Sequence, residues 1–271
     1  MPKLKKTGKC HICGNVGQLS YEHVPPASAF NKTKARLINA TEILGRNDKL
    51  PWDIEGVKVI EQQRGRGGYT LCEACNNFTG HTYAKEYVHM VQLATDGSHS
   101  RYIRDGTAME IALDEVYPLR FAKQVLTMFA STNGPGFFDA QPELRRLVMD
   151  KNATGIDKNK YALYVYYMTE GLGRNTGIAA WGDFAKGTSF LASEMSAPPF
   201  GFVLELNPKR EEHGIWGAEI TPMFNEFGYN DKTSIGFRMP KYEQNTPLPC
   251  DFRTKDEIAK LRTDTMETTE V

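Results

Sequence analysis

The sequence predicts an α+β chain in two parts: a cysteine-stapled N-terminal module, then helices packed on a mostly antiparallel sheet. Three observations carry this. Four of the five cysteines fall into two CxxC pairs, Cys10/Cys13 in "CHICG" and Cys72/Cys75 in "LCEACNN". A long amphipathic run opens on Pro118, with Phe121, Val125, Leu126 and Phe129 on one face. Beyond residue 160, aromatic and β-branched runs alternate with Gly, Asn and Asp, the texture of strands and turns.

In chain order, residues 10–25 read as a hairpin turning at "CGNVG", and 27–68 as a long insertion rich in Lys, Arg, Asn and Gly. "GGYTLC" is a brief strand leading into the second cysteine pair. After it, Phe78, Tyr83, Tyr87, Val88, Val91 and Leu93 recur at helical spacing. The turn residues of "TDGSHSRYIRDG" (95–106) mark a boundary. The helix from Pro118 closes before "TNGPG", and "QPELRRLVMDK" supplies a shorter one. "YALYVYYMT", "TGIAAWG", "FGFVLEL", "GIWGAEITPM" and "TSIGFRM" are the expected strands. "GLGRNTG" (171–177) precedes a strand rather than a helix, so it reads as a turn and not a dinucleotide loop. Trp181 and Trp216 are expected in the core, and Cys250 as a structural thiol. The expected division is a module over 1–95 carrying the 27–68 insertion, a strand-rich part over 105–262, and a polar tail over 263–271.

Lys and Arg number 33, as do Asp and Glu, so net charge makes no case for a polyanion partner. Its distribution does. Residues 1–80 hold twelve Lys/Arg against seven Asp/Glu, a balance of +5 where nucleic acid would be drawn. "MPKLKKTGK" is basic but no apolar segment follows, so it does not read as a secretory signal. No run approaches the ~18 apolar residues of a membrane span. A cysteine-poor chain of 271 residues is not a secreted disulfide scaffold. The expectation is a cytoplasmic protein with no membrane partner.

Two residues between cysteines let both sulfurs of a pair face one tetrahedral ion. Four thiolates leave no open position, so a zinc there is structural. Iron in the same cage, and unligated core thiols, are the other readings of the spacing. The 58 residues between Cys13 and Cys72 require the intervening loop to be an insertion. Glu22 and His23 follow the first pair and are ended by Pro25 and Pro26. On a strand they point to opposite faces. In isolation such a pair reads as a surface Glu beside a partly buried His; its place nine residues after a CxxC changes that.

Taken together, the CxxC, the acidic residue followed by His and Pro, and "RGGYTLCEACNNFTG" resemble the HNH endonuclease superfamily with its ββα-metal core. The closest resemblance is to the branch of phage recombination endonuclease VII, and it covers residues 10–90. It implies that Cys10, Cys13, Cys72 and Cys75 hold structural zinc. It implies that Glu22, in place of the family's Asp, and Asn76 hold a catalytic Mg²⁺ or Mn²⁺, with His23 as general base. The residue types agree: carboxylate and amide oxygens are hard ligands, and neutral imidazole accepts a proton near neutral pH. Asn76 stands where the wider superfamily has a His. Lys32, Lys34, Arg36, Arg64, Arg66 and His81 are the candidate phosphate contacts, with "RGRGG" (64–68) reading equally as a phosphate grip or a hairpin loop. The expected activity is metal-assisted hydrolysis of DNA. The rivals are a zinc-stabilised binding module without catalysis, and an RNA-cutting effector of phage defence.

Overall fold

The computed structural model describes residues 6–46, 48–96, 100–102, 108–183, 188–209 and 216–261. The tail expected at 263–271 and much of the boundary expected at 95–106 lie outside the described residues. The architecture mixes helices with three sheets. A small sheet has the order β1 (Lys6–Lys9), β2 (Val16–His23), β5 (Gly67–Cys72), all antiparallel. The insertion between β2 and β5 forms its own hairpin, β3 (Ala35–Ile38) with β4 (Val59–Gln62), and a short helix, α1 (Ala40–Leu44). Asn39 caps α1 through a side-chain bond to the Thr41 amide.

Directly after β5 comes α2 (Glu73–Thr79), a π-helical turn over Gly80–Ala84, and α3 (Lys85–Thr95). The chain then runs through β6 (Ser100–Tyr102) and β7 (Ala108–Val116) to α4 (Pro118–Thr132), α5 (Phe137–Ala140) and α6 (Pro142–Met149). The remaining strands are β8 (Tyr161–Gly171), β9 (Asn175–Asp183), β10 (Thr188–Ala197), β11 (Phe200–Leu206), β12 (Ala218–Glu219) and β13 (Thr233–Gln244), with α7 (Met223–Glu226) before the last. The large sheet has the order β6-β7-β13-β8-β11-β10-β9, with β12 added beside β8. Every pairing is antiparallel except β13 with β8.

Period-two alternation explains how this sheet is covered on both faces. Tyr161, Leu163 and Val165 of β8 join the main core, whereas Ala162, Tyr164, Tyr166 and Met168 face a second cluster with Trp216. Pro118 stands at the start of α4, where its missing N–H is not needed, and the helix is buried almost along its length. Phe121 is fully buried; it stacks on Tyr87 of α3 at 5.6 Å and meets Phe200 and Phe202 of β11. Phe121→Ala is expected to destabilise by about 3–5 kcal/mol, because the surrounding rings cannot collapse into the space. Chemical denaturation with an unchanged midpoint would contradict this packing.

Several sequence expectations differ from the structure. The expected strands do not include β7, β10 or the β3–β4 pair within the 27–68 insertion. In "GIWGAEITPM" the described residues, from 216 on, hold only the two-residue β12, and Pro222 turns the chain into α7. Trp181 lies on the edge strand β9 and is only half-buried, unlike Trp216.

Candidate metal centre and catalytic strand

The antiparallel pairing of β2 with β5 closes the long gap between the cysteine pairs, matching Leu19 to Cys72. The turn after β1 carries Cys10 and Cys13 and is tightened by the Gly14 amide bonding the Cys10 carbonyl at 3.0 Å. Gly14 has φ +79°, a left-handed conformation that favours glycine. Cys72 ends β5 as the residue before α2, and Cys75 sits in that helix's first turn, where the helix dipole favours a thiolate. The four Sγ atoms lie within 4.8 Å of one another, with Cys13 to Cys72 at 3.9 Å. A tetrahedral zinc with Zn–S bonds of about 2.3 Å requires sulfur separations of roughly 3.8 Å, so the quartet fits. Among the described residues it is the one cluster of three or more His, Cys, Asp or Glu placed to share an ion.

Hydrogen bonding within the quartet shifts its thiols in opposite directions. Hydrogen bonding from Cys75 holds the Cys10 thiol down at about 4, against the upward pull of burial. The same bond, together with burial, pushes Cys75 up. The Cys72 amide donates to Cys10 Sγ at 3.3 Å, a further stabilisation of thiolate. His11, inside the first knuckle, bonds the Ala130 carbonyl through Nδ1 at 3.0 Å and so ties the cluster to the end of α4.

Glu22 and His23 point to opposite faces of β2. Glu22 is buried, and its Oε2 accepts bonds from Thr70 Oγ1 at 3.1 Å and from Ser131 Oγ at the end of α4. Its Oε1 has no hydrogen-bond partner among the described residues. His23 is half-buried and packs edge-on to Tyr21, with ring centroids 5.1 Å apart. His23 Nε2 lies 2.9 Å from the Arg64 carbonyl. A carbonyl only accepts, so Nε2 carries the hydrogen and Nδ1 is the free lone pair. Asn76, in α2, donates Nδ2 to Ser20 Oγ at 3.0 Å and to the Tyr21 carbonyl at 3.2 Å, which leaves Oδ1 to accept. Asn76 of α2 is thus tied to Ser20 and Tyr21, the two residues of β2 before Glu22, whereas Glu22 itself is held by Thr70 and Ser131.

Burial raises the Glu22 carboxyl from its ordinary 4.5 to about 7, opposed by the Ser131 and Thr70 hydrogen bonds. Between those values the folded chain keeps a proton that the unfolded chain has lost. Stability therefore falls as pH rises through this window and stays lower above it, by at most roughly 3 kcal/mol. Without added divalent cation, Glu22→Gln is expected to raise the melting temperature at pH 8 and to do so progressively less toward pH 5. An equal effect at both pH values in thermal scans would contradict the buried carboxyl.

The candidate phosphate contacts separate into two groups. Lys32, Lys34, Arg36, Arg64 and His81 are exposed, with Lys34 paired to Glu61 at 2.6 Å. Arg66 instead turns inward and donates to the Ser196 carbonyl of β10. The "RGRGG" run is the link from β4 to β5, clasped by Asn31, whose amide bonds the Pro25 and Arg66 carbonyls at 2.6 and 2.8 Å.

No local pattern points to Ser131, which lies 109 residues from the carboxylate it bonds. None points to the buried network at the far side of the large sheet. There Arg174 donates twice to Glu194, at 3.0 and 3.1 Å, and Gln244 and the Cys250 amide bond the same carboxylate. The Arg174–Glu194 pair fixes the 171–177 stretch, which is the end of β8, the 172–174 turn and the start of β9; Cys250 is a structural thiol beside it, pushed up by desolvation. No described helix is long and apolar enough to cross a membrane. Comparison with family models, curated proteins and solved structures finds no match to this chain.

Proposed function

We propose that the chain is a metal-dependent endonuclease of the HNH, ββα-metal kind, hydrolysing phosphodiester bonds in nucleic acid, with DNA as the first substrate to test. The observation that carries the reading is the strand–strand–helix unit of β2, β5 and α2. It carries Glu22 and His23 as successive residues of β2 and Asn76 on α2, one residue after a cysteine quartet spaced to hold zinc. In this reading His23 takes the proton of the attacking water on Nδ1, while the Arg64 carbonyl holds the ring's orientation and tautomer. Water oxygen bonds to phosphorus, the P–O3′ bond breaks, and the 3′ oxygen leaves to be protonated by solvent. Glu22 Oε1 and Asn76 Oδ1 are the oxygens that would hold Mg²⁺ or Mn²⁺. Such an ion, when bound, neutralises charge gathering on the phosphate and leaving oxygen.

Glu22→Ala is expected to abolish nicking in Mg²⁺, to recover part of it in high Mn²⁺, and to retain zinc. A Glu22→Ala chain that cuts as fast as the unaltered one would remove the carboxylate from the mechanism. If the zinc-loaded chain binds nucleic acid but cuts neither DNA nor RNA, the quartet scaffolds a binding module instead.

A further inference from the structure

Beside β5, on the Glu22 face, lies a cleft of about 860 Å³. One wall is the insertion, with Arg36 of β3 and the start of α1; the other is the 171–177 stretch of the large sheet. Thr70 and Ser131, the two hydroxyls that bond Glu22, line its floor. The described lining holds Arg36, Arg66 and Arg174 and no carboxylate. Arg174 is neutralised by Glu194, but Arg66 has no carboxylate partner among the described residues. Its guanidinium rests against Gly173 and the Ser196 carbonyl, partly withdrawn from water. A cation held so, facing a cleft with no acid in it, leaves its charge to be answered by a bound anion. Gly171 shapes the rim: its φ is +109°, and a Cβ there would come within 2.2 Å of the Gln244 carbonyl.

Size narrows the anion. The volume equals a cube about 10 Å on a side. A duplex, whose major groove alone is about 12 Å wide, does not enter such a space. One or two nucleotides of a single strand do, since small-ligand clefts run to about 300–1,000 Å³. The same phosphate chemistry is offered by a free nucleotide.

We infer that this cleft binds a single-stranded segment of nucleic acid, its phosphates on Arg66 and Arg36 and its chain passing between the insertion and the 171–177 stretch. The inference rests on the nuclease reading by giving the form in which substrate reaches the Glu22 face. It is tested by binding alone, so that its failure and the failure of hydrolysis are distinguishable.

The test is fluorescence anisotropy on the full chain, without added divalent cation, using labelled oligodeoxythymidylate or oligouridylate of about ten nucleotides, and a duplex of matched length. Arg66→Ala removes the inward cation, and because it also removes a bond to Ser196, a second variant is needed. Gly173→Glu serves: a Cβ there meets Arg66 Nη1 at 3.6 Å, ordinary contact, and the new carboxylate then neutralises the guanidinium. Each is expected to weaken single-strand binding by about tenfold or more, with duplex binding changed by less than about threefold. Exposed Arg36→Ala is expected to act in the same direction by a smaller factor. Single-strand binding that survives both Arg66→Ala and Gly173→Glu, or equal losses for duplex and single strand, would overturn the inference. So would full displacement of the oligonucleotide by an equal concentration of thymidine monophosphate, which would assign the cleft to a free nucleotide. Binding as expected with no cleavage in Mg²⁺ would leave the cleft standing and remove the nuclease.

Discussion

Replacing Cys72 with serine is expected to abolish metal binding at the cysteine quartet and melt the β1–β2–β5 sheet. Cys72 does three things at once: it ends β5, stands at the start of α2, and supplies one corner of the quartet. With three thiolates the ion keeps an open position and loses affinity. Structural zinc contributes on the order of 10–16 kcal/mol of apparent binding free energy, which in small metal-stapled units is folding free energy. Within the three strands only Leu19 and Leu71 are buried apolar residues; they join the main core, but they are too few to replace the staple. Damage would extend through His11 and Ala130 to α4. Cys250→Ser, by contrast, alters a thiol outside the quartet, and a mild effect is expected. Metal analysis with circular dichroism separates the two. A Cys72→Ser chain that is soluble, folded and zinc-free would show that the staple is dispensable.

His23→Ala is expected to lower cleavage by a factor of about 10² to 10⁴, the usual contribution of a positioned general base. The substitution removes one bond, to the Arg64 carbonyl, and one edge contact with Tyr21. It leaves Glu22, Asn76 and the quartet untouched, so zinc content, melting behaviour and nucleic-acid affinity are expected to stay close to those of the unaltered chain. That pattern differs from the Cys72 variant, which loses fold and activity together. It differs also from Glu22→Ala, whose defect responds to the choice of metal ion.

The cysteine quartet was legible because CxxC spacing is a local consequence of tetrahedral geometry, and β5 and α4 were legible because apolar period and Pro118 are local too. What escaped depended on distant partners. β10 reads as "TSFLASEMSA", and Ser193, Glu194 and Ser196 are all completely buried there, which no hydrophobic pattern announces. Glu194 tolerates burial only because Arg174, Tyr166, Gln244 and the Cys250 amide meet it. β7 is different: Met109, Ile111 and Leu113 alternate regularly with Glu110, Ala112 and Asp114, and only Glu115, at φ +59°, breaks the period before Val116, so this strand is legible in the sequence although the expected strands omit it. At the site, the strand's two faces separate Glu22 from His23 as expected. That the Glu22 face would be closed by Ser131 and opened onto an arginine-lined cleft could not be read from residues 10–90 alone.

The most direct measurement is single-turnover nicking of supercoiled plasmid, with labelled RNA in parallel, by zinc-loaded wild-type and His23→Ala chains, with Mg²⁺ added or omitted. Wild-type cleavage is expected to require Mg²⁺, and the His23→Ala rate to be about two to four orders of magnitude lower at unchanged zinc content. Equal cleavage by the two chains, or none by wild type on either nucleic acid, would contradict it.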